Sequence, residues 1–339
     1  MDSITERYSR QVLYPGIGES GQRKLAAASV AVIGCGATGA AAAALLARAG
    51  VGTLTLIDRD FVEVSNLQRQ VLFDEADARD SLPKAEAARR KIALFNSEIS
   101  VRAHVADLVP RNIEALLSEA EILLDATDNF ETRYLLNDYA LEQRRPWIYA
   151  AAVGAYSVTM NILPEETACL ACIFPKPPSG TVATCDTAGV LNTAVNFAAS
   201  VEVTEALKYL VGAKDKMRRT LLSRDMWTNE ASEISTATPR PGCIVCQERN
   251  FAHLRGEGRP QITLCGRNSV QIHEHHRPVD FPEMQRRLEP HGRVKFNRLL
   301  LRFEHGEYTV TVFEDGRAIV QGTTDVAVAR SLYARFIGA

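Results

Sequence analysis

The chain of 339 residues lacks any excess of positive charge: 39 Lys and Arg face 41 Asp and Glu, for a net charge of -2. Polyanion binding draws on clustered basic charge, so no nucleic acid and no anionic membrane surface is expected as a partner. An apolar leader is missing too, since MDSITERYSR contains no hydrophobic run of signal-peptide type. One segment, Leu25 to Ala47, carries no charge for 23 residues, long enough to cross a bilayer. The glycines of GCGATG divide it into a strand and an alanine-rich helix, so a soluble chain is expected. Cysteine is too irregular for a disulfide framework. There are seven, an odd number, and four of them form C-x-x-C pairs. With no secretion signal, that favours metal ligation in a reducing compartment, the cytoplasm. Internal repeats and low-complexity tracts are also lacking. What remains is ordinary globular composition, 46% hydrophobic and 24% charged, on a length that suits about two domains.

Up to about residue 150, strand-like and helix-like segments alternate. The expected strands are Ser29–Gly34, Gly52–Asp58, Ile99–Val105, Glu121–Thr127 and Trp147–Val153. Helical patterns such as Lys84–Asn96, Asn112–Glu119 and Glu131–Arg144 lie between them. This alternation predicts an α/β fold, a doubly wound, mostly parallel sheet covered on both faces. Ser157–Leu163 alternates like a half-exposed strand and is expected to add antiparallel. A long helix is expected over Thr187–Val211, then a strand over Thr220–Arg224. Residues 251–260 read as a linker between the domain 1–250 and a small C-terminal α+β domain, 261–339. In the latter the pattern predicts helices Phe281–Leu288 and Asp325–Phe336, with strands Leu299–Phe303, Tyr308–Phe313 and Ala318–Gln321. The apolar stripe Val294–Phe303 is expected in its core.

Gly34-Cys-Gly-Ala-Thr-Gly39 is a complete G-x-G-x-x-G directly after a strand and opening a helix. Gly34 suits the tight turn, Gly36 lets phosphate oxygens approach the backbone, and Gly39 lets helix pack on strand. The phosphates then meet the helix N-terminal amides. Asp58, at the end of the second strand, is placed to bind ribose hydroxyls in this Rossmann-like arrangement. Only His104 among the seven histidines precedes residue 250, which is poor for a dehydrogenase needing a proton relay. Asn66, Arg69, Gln70 and Lys84 instead cluster after the second strand, where cations would stabilise charge in phosphoryl transfer. Taken singly, Arg69 and Lys84 read equally as solvated surface charges. Asp128 follows the fourth strand and either holds Mg²⁺ on ATP or, with Asn129, caps the next helix.

Cys169-x-x-Cys172 and Cys243-x-x-Cys246 can each grip one ion, and together they would complete a tetrahedral Zn²⁺ site. The 70 residues between the pairs exceed the spacing of a zinc ribbon. Cys185 in ATCDTAGV precedes the long helix and is either a nucleophile with a lowered pKa or a small loop residue. Cys265 and the cluster His273, His275 and His276 receive no role.

RYSRQ at 7–11, the glycine motif at 34–39, AGVGTLTLID at 49–58, SNLQRQ at 65–70, PKAEAA at 83–88 and DATDN at 125–129 together resemble the ubiquitin-activating-enzyme-like adenylyltransferases. This is the ThiF/MoeB/HesA family, and the similarity spans residues 5–250. LCGRNSVQI at 264–272 and FEDGRAIVQGT at 313–323 resemble the extension of the Bacillus-type thiazole-biosynthesis branch. The resemblance implies adenylylation, with ATP and Mg²⁺, of the C-terminal glycine carboxylate of a small ubiquitin-fold sulfur carrier ending in Gly-Gly and resembling ThiS. A molybdopterin-synthase small subunit is the alternative substrate. A cysteine desulfurase is implied as sulfur donor, and a homodimer as the working unit. At matching positions it implies that Gly34, Gly36, Gly39, Asp58, Asn66, Leu67, Gln68, Arg69, Lys84, Asp128 and Asn129 bind ATP, with Asp128 on Mg²⁺. Arg10 would reach into the neighbouring subunit's site, the four paired cysteines would hold zinc, and Cys185 would take part in sulfur transfer. An NAD-dependent oxidoreductase and a non-catalytic binding subunit remain as readings of other classes.

Overall fold

In the computed structural model, the structure describes residues 6–176, 188–257, 262–265, 269–272, 279–296, 300–314 and 316–337. It divides into two compact units, Met1–Glu257 and Gly258–Ala339.

The first unit begins with α1 (Ser9–Val12) and α2 (Gly18–Ala27), followed by β1 (Ser29–Ile33), α3 (Ala37–Ala49) and β2 (Thr53–Asp58). Next come α4 (Glu75–Arg79), α5 (Lys84–Phe95), β3 (Ser100–Val105), α6 (Ile113–Leu117) and β4 (Ile122–Asp125). Then follow α7 (Phe130–Glu142), β5 (Trp147–Val153), β6 (Tyr156–Ile162), α8 (Leu170–Ile173), α9 (Asn192–Val211), β7 (Thr220–Asp225) and β8 (Ala231–Ser235). The eight strands form one sheet in the order β3-β2-β1-β4-β5-β6-β7-β8. The first five are mutually parallel, and β6, β7 and β8 add antiparallel.

Alternate side chains of the central strands feed two cores. Val30, Val32, Leu54, Leu56, Ile122 and Leu124 pack with alanines of α3 and α5 and with Ala199 and Val203 of α9. Ala31, Ile33, Leu123, Trp147 and Tyr149 pack on the other face with α6 and α7. Burial on both faces is why these strands read as continuous apolar runs. The charge-free stretch from Leu25 to Ala47 resolves into the end of α2, β1, the glycine turn and most of α3. Among the described residues no helix is long and apolar enough to cross a membrane.

Several expected boundaries move. The continuous helix α9 starts at Asn192, because Val190 bridges Gly154 and the Leu191 N–H donates to Gly154 O. Strand β8 has every residue exposed, so its sequence carries no burial signal. Residues 251–257, read as linker, fold onto α7. Phe251 is buried, His253 stacks on Tyr134 at 5.0 Å, and Asp138 accepts the N–H groups of His253 and Leu254 at 2.8 and 3.3 Å.

The second unit carries β9 (Ile262–Cys265), β10 (Ser269–Ile272), α10 (Phe281–Leu288), β11 (Arg293–Phe296), β12 (Leu300–His305), β13 (Tyr308–Phe313), β14 (Ala318–Gln321) and α11 (Val326–Phe336). Its sheet, ordered β11-β12-β13-β14-β10-β9, is antiparallel throughout. Phe281, Met284 and Leu288 of α10 and Ala329, Tyr333 and Phe336 of α11 share one core with Leu301, Phe303, Val310 and Val312. Of the stripe Val294–Phe303, Leu300, Leu301 and Phe303 are buried and Val294 packs against the core. The stripe contributes to two antiparallel strands, and Phe296 is exposed.

Candidate active site and cysteine cluster

Strands β1 and β4 lie side by side while their connections run to opposite edges of the sheet, which opens a crevice at their carboxyl ends. The glycine turn lines it. Gly34 adopts φ +90°, and a Cβ there would lie 2.6 Å from Ala126 O. A Cβ on Gly39 would lie 1.8 Å from Gly34 O, so these two glycines satisfy steric demands of the fold. Gly36 differs, because the nearest atom its Cβ would meet is Gln70 Nε2 at 4.0 Å. It also caps α3, whose first amides point outward with partial positive charge. The crevice therefore fits a phosphate chain.

Asp58 ends β2 and is buried. It accepts the Cys35 N–H at 2.6 Å and the Asp60 N–H at 2.7 Å. Burial raises its pKa, and the Lys84 ammonium opposes that rise. Asn66 closes a short 3₁₀ turn, Val64–Asn66, through a reciprocal cap with Glu63. Arg69 is buried, with Nη1 donating to Ser65 O at 3.0 Å. Leu67 packs against the first core, and Gln68 O accepts from Asn192 Nδ2 at 3.3 Å. Lys84 opens α5 with its Nζ 3.2 Å from Asp60 Oδ2. Burial alone would lower its pKa, but the Asp60 and Asp58 carboxylates outweigh burial and raise it. Lys84 therefore stays charged.

At the end of β4, Asp125 is fully buried and accepts from Arg133 Nε at 3.0 Å and Thr127 Oγ1 at 2.6 Å. Arg133 Nη2 donates to Thr127 O at 2.5 Å and Ala150 O at 3.4 Å, bracing the loop that carries Asp128. Asn129, not Asp128, caps α7 by accepting the Thr132 N–H at 2.8 Å. Asp128 is left exposed at the crevice, and its charge acts on Lys84. That arrangement suits a cation bridging phosphates.

One chain does not bring every candidate together. Arg10 lies exposed on α1. The neighbouring Gln11 Nε2 donates to Ala49 O at 2.8 Å, and the Tyr8 hydroxyl accepts from Asn96 Nδ2 at 2.9 Å. These bonds hold α1 beside the C-terminus of α3, about 20 Å from the glycine turn at 1.5 Å per residue. Cys185, His273, His275 and His276 lie outside the described residues.

The two cysteine pairs do converge. Cys169 caps α8 and Cys172 lies within it, while Cys243 and Cys246 lie in a turn after β8. The sulfurs of Cys169 and Cys172 are 3.7 Å apart, those of Cys169 and Cys243 3.7 Å, and those of Cys172 and Cys246 3.5 Å. All four lie within 4.8 Å of one another. A tetrahedron with Zn–S of about 2.3 Å sets its sulfurs about 3.8 Å apart, so the set fits zinc. The Arg240 N–H donates to Cys172 Sγ at 3.3 Å, the kind of outer support that orients a thiolate ligand.

Sequence reasoning missed Arg133, Asp125 and Asp60, and it gave Gln70 no role. An arginine within a helical pattern reads as a surface charge, so Arg133 offers no local signal of its buried ion pair.

A sequence model described as the ThiF family matches residues 8–245. The sulfur carrier protein ThiS adenylyltransferase of Bacillus subtilis is 42% identical over 339 residues, covering 99% of this chain and 100% of that protein. The SAMP-activating enzyme E1 of Haloferax volcanii is 35% identical, covering 72% of this chain and 89% of that protein. The adenylyltransferase and sulfurtransferase MOCS3 of Mus musculus is 37% identical, covering 72% of this chain and 53% of that longer protein. Among solved structures, E. coli MccB with ATP superposes with a TM-score of 0.62 at 26% identity, covering 71% of this chain and 74% of that one.

Proposed function

Since the chain belongs to the ThiF family, we propose that it adenylylates the C-terminal carboxylate of a small ubiquitin-fold sulfur carrier of the ThiS type, in the cytoplasm. A carboxylate is a poor electrophile because its leaving group would be oxide. Attack of its oxygen on the α-phosphorus of ATP forms an acyl adenylate and releases pyrophosphate. The observation that supports this reading is the open face of Gly36 at the N-terminus of α3, on the same crevice where Lys84 is held charged by Asp58, Asp60 and Asp128. In this reading Gly34, Gly36 and Gly39 shape the cradle, and Asp58 orients the ribose. Leu67 and Gln68 hold the turn against the nucleotide, and Asn129 fixes the loop before α7. Lys84 and Arg69 neutralise charge on the phosphates and hold them in line. Asp128 would hold Mg²⁺, which supplies further charge neutralisation on the phosphates. The zinc cluster would be structural, and residues 261–339 an appended domain.

Arg10 cannot reach the cradle of its own chain from the far end of α3. Arg10 would act in a partner's site, with a homodimer as the working unit. Sulfur would come from a donor such as a cysteine desulfurase. Cys185 is the proposed thiol of that later step, so Cys185→Ala should keep adenylylation and lose thiocarboxylate formation.

Carrier-dependent exchange of labelled pyrophosphate into ATP tests the reading. Exchange is expected with a ThiS-type carrier ending in Gly-Gly. Exchange only with a molybdopterin-synthase small subunit would reassign the carrier, and exchange with neither would overturn the proposal.

A further inference from the structure

Gln70 follows Arg69 in the turn that lines the crevice, and its backbone is held at both ends. Its N–H donates to Asn66 O at 2.9 Å, and its carbonyl accepts the Phe73 N–H at 3.1 Å. The residue is 3% exposed, yet its Oε1 is enclosed without a hydrogen-bond partner among the described residues. A primary amide kept only for packing would be better replaced by an apolar side chain, since burying unbonded polar groups is unfavourable. The other end of the amide explains its retention. Among the described residues, Nε2 is the only atom within 4 Å of the position a Cβ on Gly36 would occupy, local chain neighbours aside. It therefore faces the space where the backbone admits a phosphoryl group. Nε2 is a donor without acceptor capacity, and the N-terminus of α3 makes that space favour an anion. A neutral donor there meets an oxygen of the ligand.

We propose that Gln70 is a further catalytic residue, its Nε2 donating a hydrogen bond to a non-bridging oxygen of the phosphoryl group seated over Gly36. The assignment rests on the adenylyl-transfer reading above. In that reaction a bond forms between the carboxylate oxygen and the α-phosphorus. The bond from that phosphorus to the oxygen bridging the β-phosphorus breaks, and its electron pair leaves with pyrophosphate. No proton moves, so Gln70 supplies a hydrogen bond and not an acid. Lys84 and Arg69 supply full charges, while Gln70 adds a directional contact to the oxygen set as the phosphorus changes geometry.

Two measurements on the intact protein decide the matter. The first is calorimetric binding of ATP and of adenosine to the parent, Gln70→Ala and Gln70→Glu proteins. A carboxylate at this place faces the phosphates, so Gln70→Glu should weaken ATP by about 30-fold or more at pH 8 and leave adenosine within about twofold. The loss should shrink toward pH 5, because a protonated carboxyl can again donate. A purely structural amide would show no such recovery confined to ATP. ATP affinity within about twofold of the parent at pH 8 would overturn the phosphate contact. The second measurement is exchange kinetics. Gln70→Ala should lower kcat about 100-fold with KM for ATP changed less than about threefold. A kcat within about threefold of the parent would overturn the catalytic assignment. The binding arm needs no carrier. If the parent exchanges with no carrier, the adenylyl-transfer reading fails, while the ATP and adenosine comparison still decides whether Gln70 meets phosphate.

Discussion

An added methyl at Gly39 would land 1.8 Å from the carbonyl oxygen of Gly34, whereas at Gly36 it would meet nothing closer than 4.0 Å. The first clash is with backbone and cannot be relieved by a rotamer change. Gly39→Ala should therefore destabilise the first unit by about 3 kcal/mol or more, measured by denaturant unfolding. Gly36→Ala should fold with near-parental stability and instead weaken ATP by about tenfold or more in calorimetry, because the methyl occupies phosphate space. Equal loss of stability in both variants would refute the division of labour within the motif. Sequence reasoning gave these two glycines their separate parts, but it could not say which side chain faced the gap between them.

Helix α7 shows how one element serves two sites. Its N-terminal turn presents Arg133 to Asp125 behind the Asp128 loop, and its later turns hold the chain that follows the four-cysteine cluster. Asp138 there is fully buried, and burial pushes its pKa up to about 7 despite two backbone N–H donors. With an unfolded value near 3.9, the native state binds the extra proton, so stability falls as pH rises from about 4 to about 7 and is level above. Asp138→Asn removes this titration and keeps one acceptor oxygen for His253 and Leu254. Its stability relative to the parent should grow across that interval, reaching about 1–3 kcal/mol at pH 9 once an unpaired amide N–H is counted against it. A difference independent of pH would show that Asp138 does not ionise there. The four-cysteine cluster makes a separate prediction. Cys246→Ser should reduce bound zinc from one ion per chain to nearly none and lower the unfolding midpoint by roughly 10 °C. Unchanged stability after metal loss would remove its structural role.

For the whole molecule, the decisive feature is that α1 packs at the C-terminus of α3 while the glycine turn, the proposed phosphate cradle, sits at its N-terminus. A site requiring both Arg10 and Lys84 must then draw on two chains. Mixing Arg10→Ala with Lys84→Ala should restore about a quarter of parental exchange activity, since half the random dimers are mixed and each has one intact site. Full inactivity of demonstrated mixed dimers would exclude Arg10 from catalysis across the boundary.

Local pattern determined much of this protein. Strands β1, β2, β4 and β5 were legible because parallel strands buried on both faces must be largely apolar, and the edge strand β3, SVRAHV, followed from the alternation with helices that a doubly wound sheet requires. The glycine turn, the acid ending β2 and the cysteine pairs were legible because tight turns and metal grips constrain neighbours in sequence. Tertiary structure alone decided the rest. Cys172 and Cys243, with 70 residues between them in sequence, become parts of one cluster only when α8 meets the turn after β8. Asn129, and not Asp128, takes the cap of α7, which leaves the Asp128 carboxylate at the crevice. Residues 251–257 read as a linker but are bound to Asp138 and Tyr134. Gln70 gains a role only through its approach to Gly36. Periodicity records which face of an element is buried, but not which distant group a polar side chain will meet there. That choice is made when elements pack, because a buried donor or acceptor is tolerated only where packing or a ligand supplies its partner.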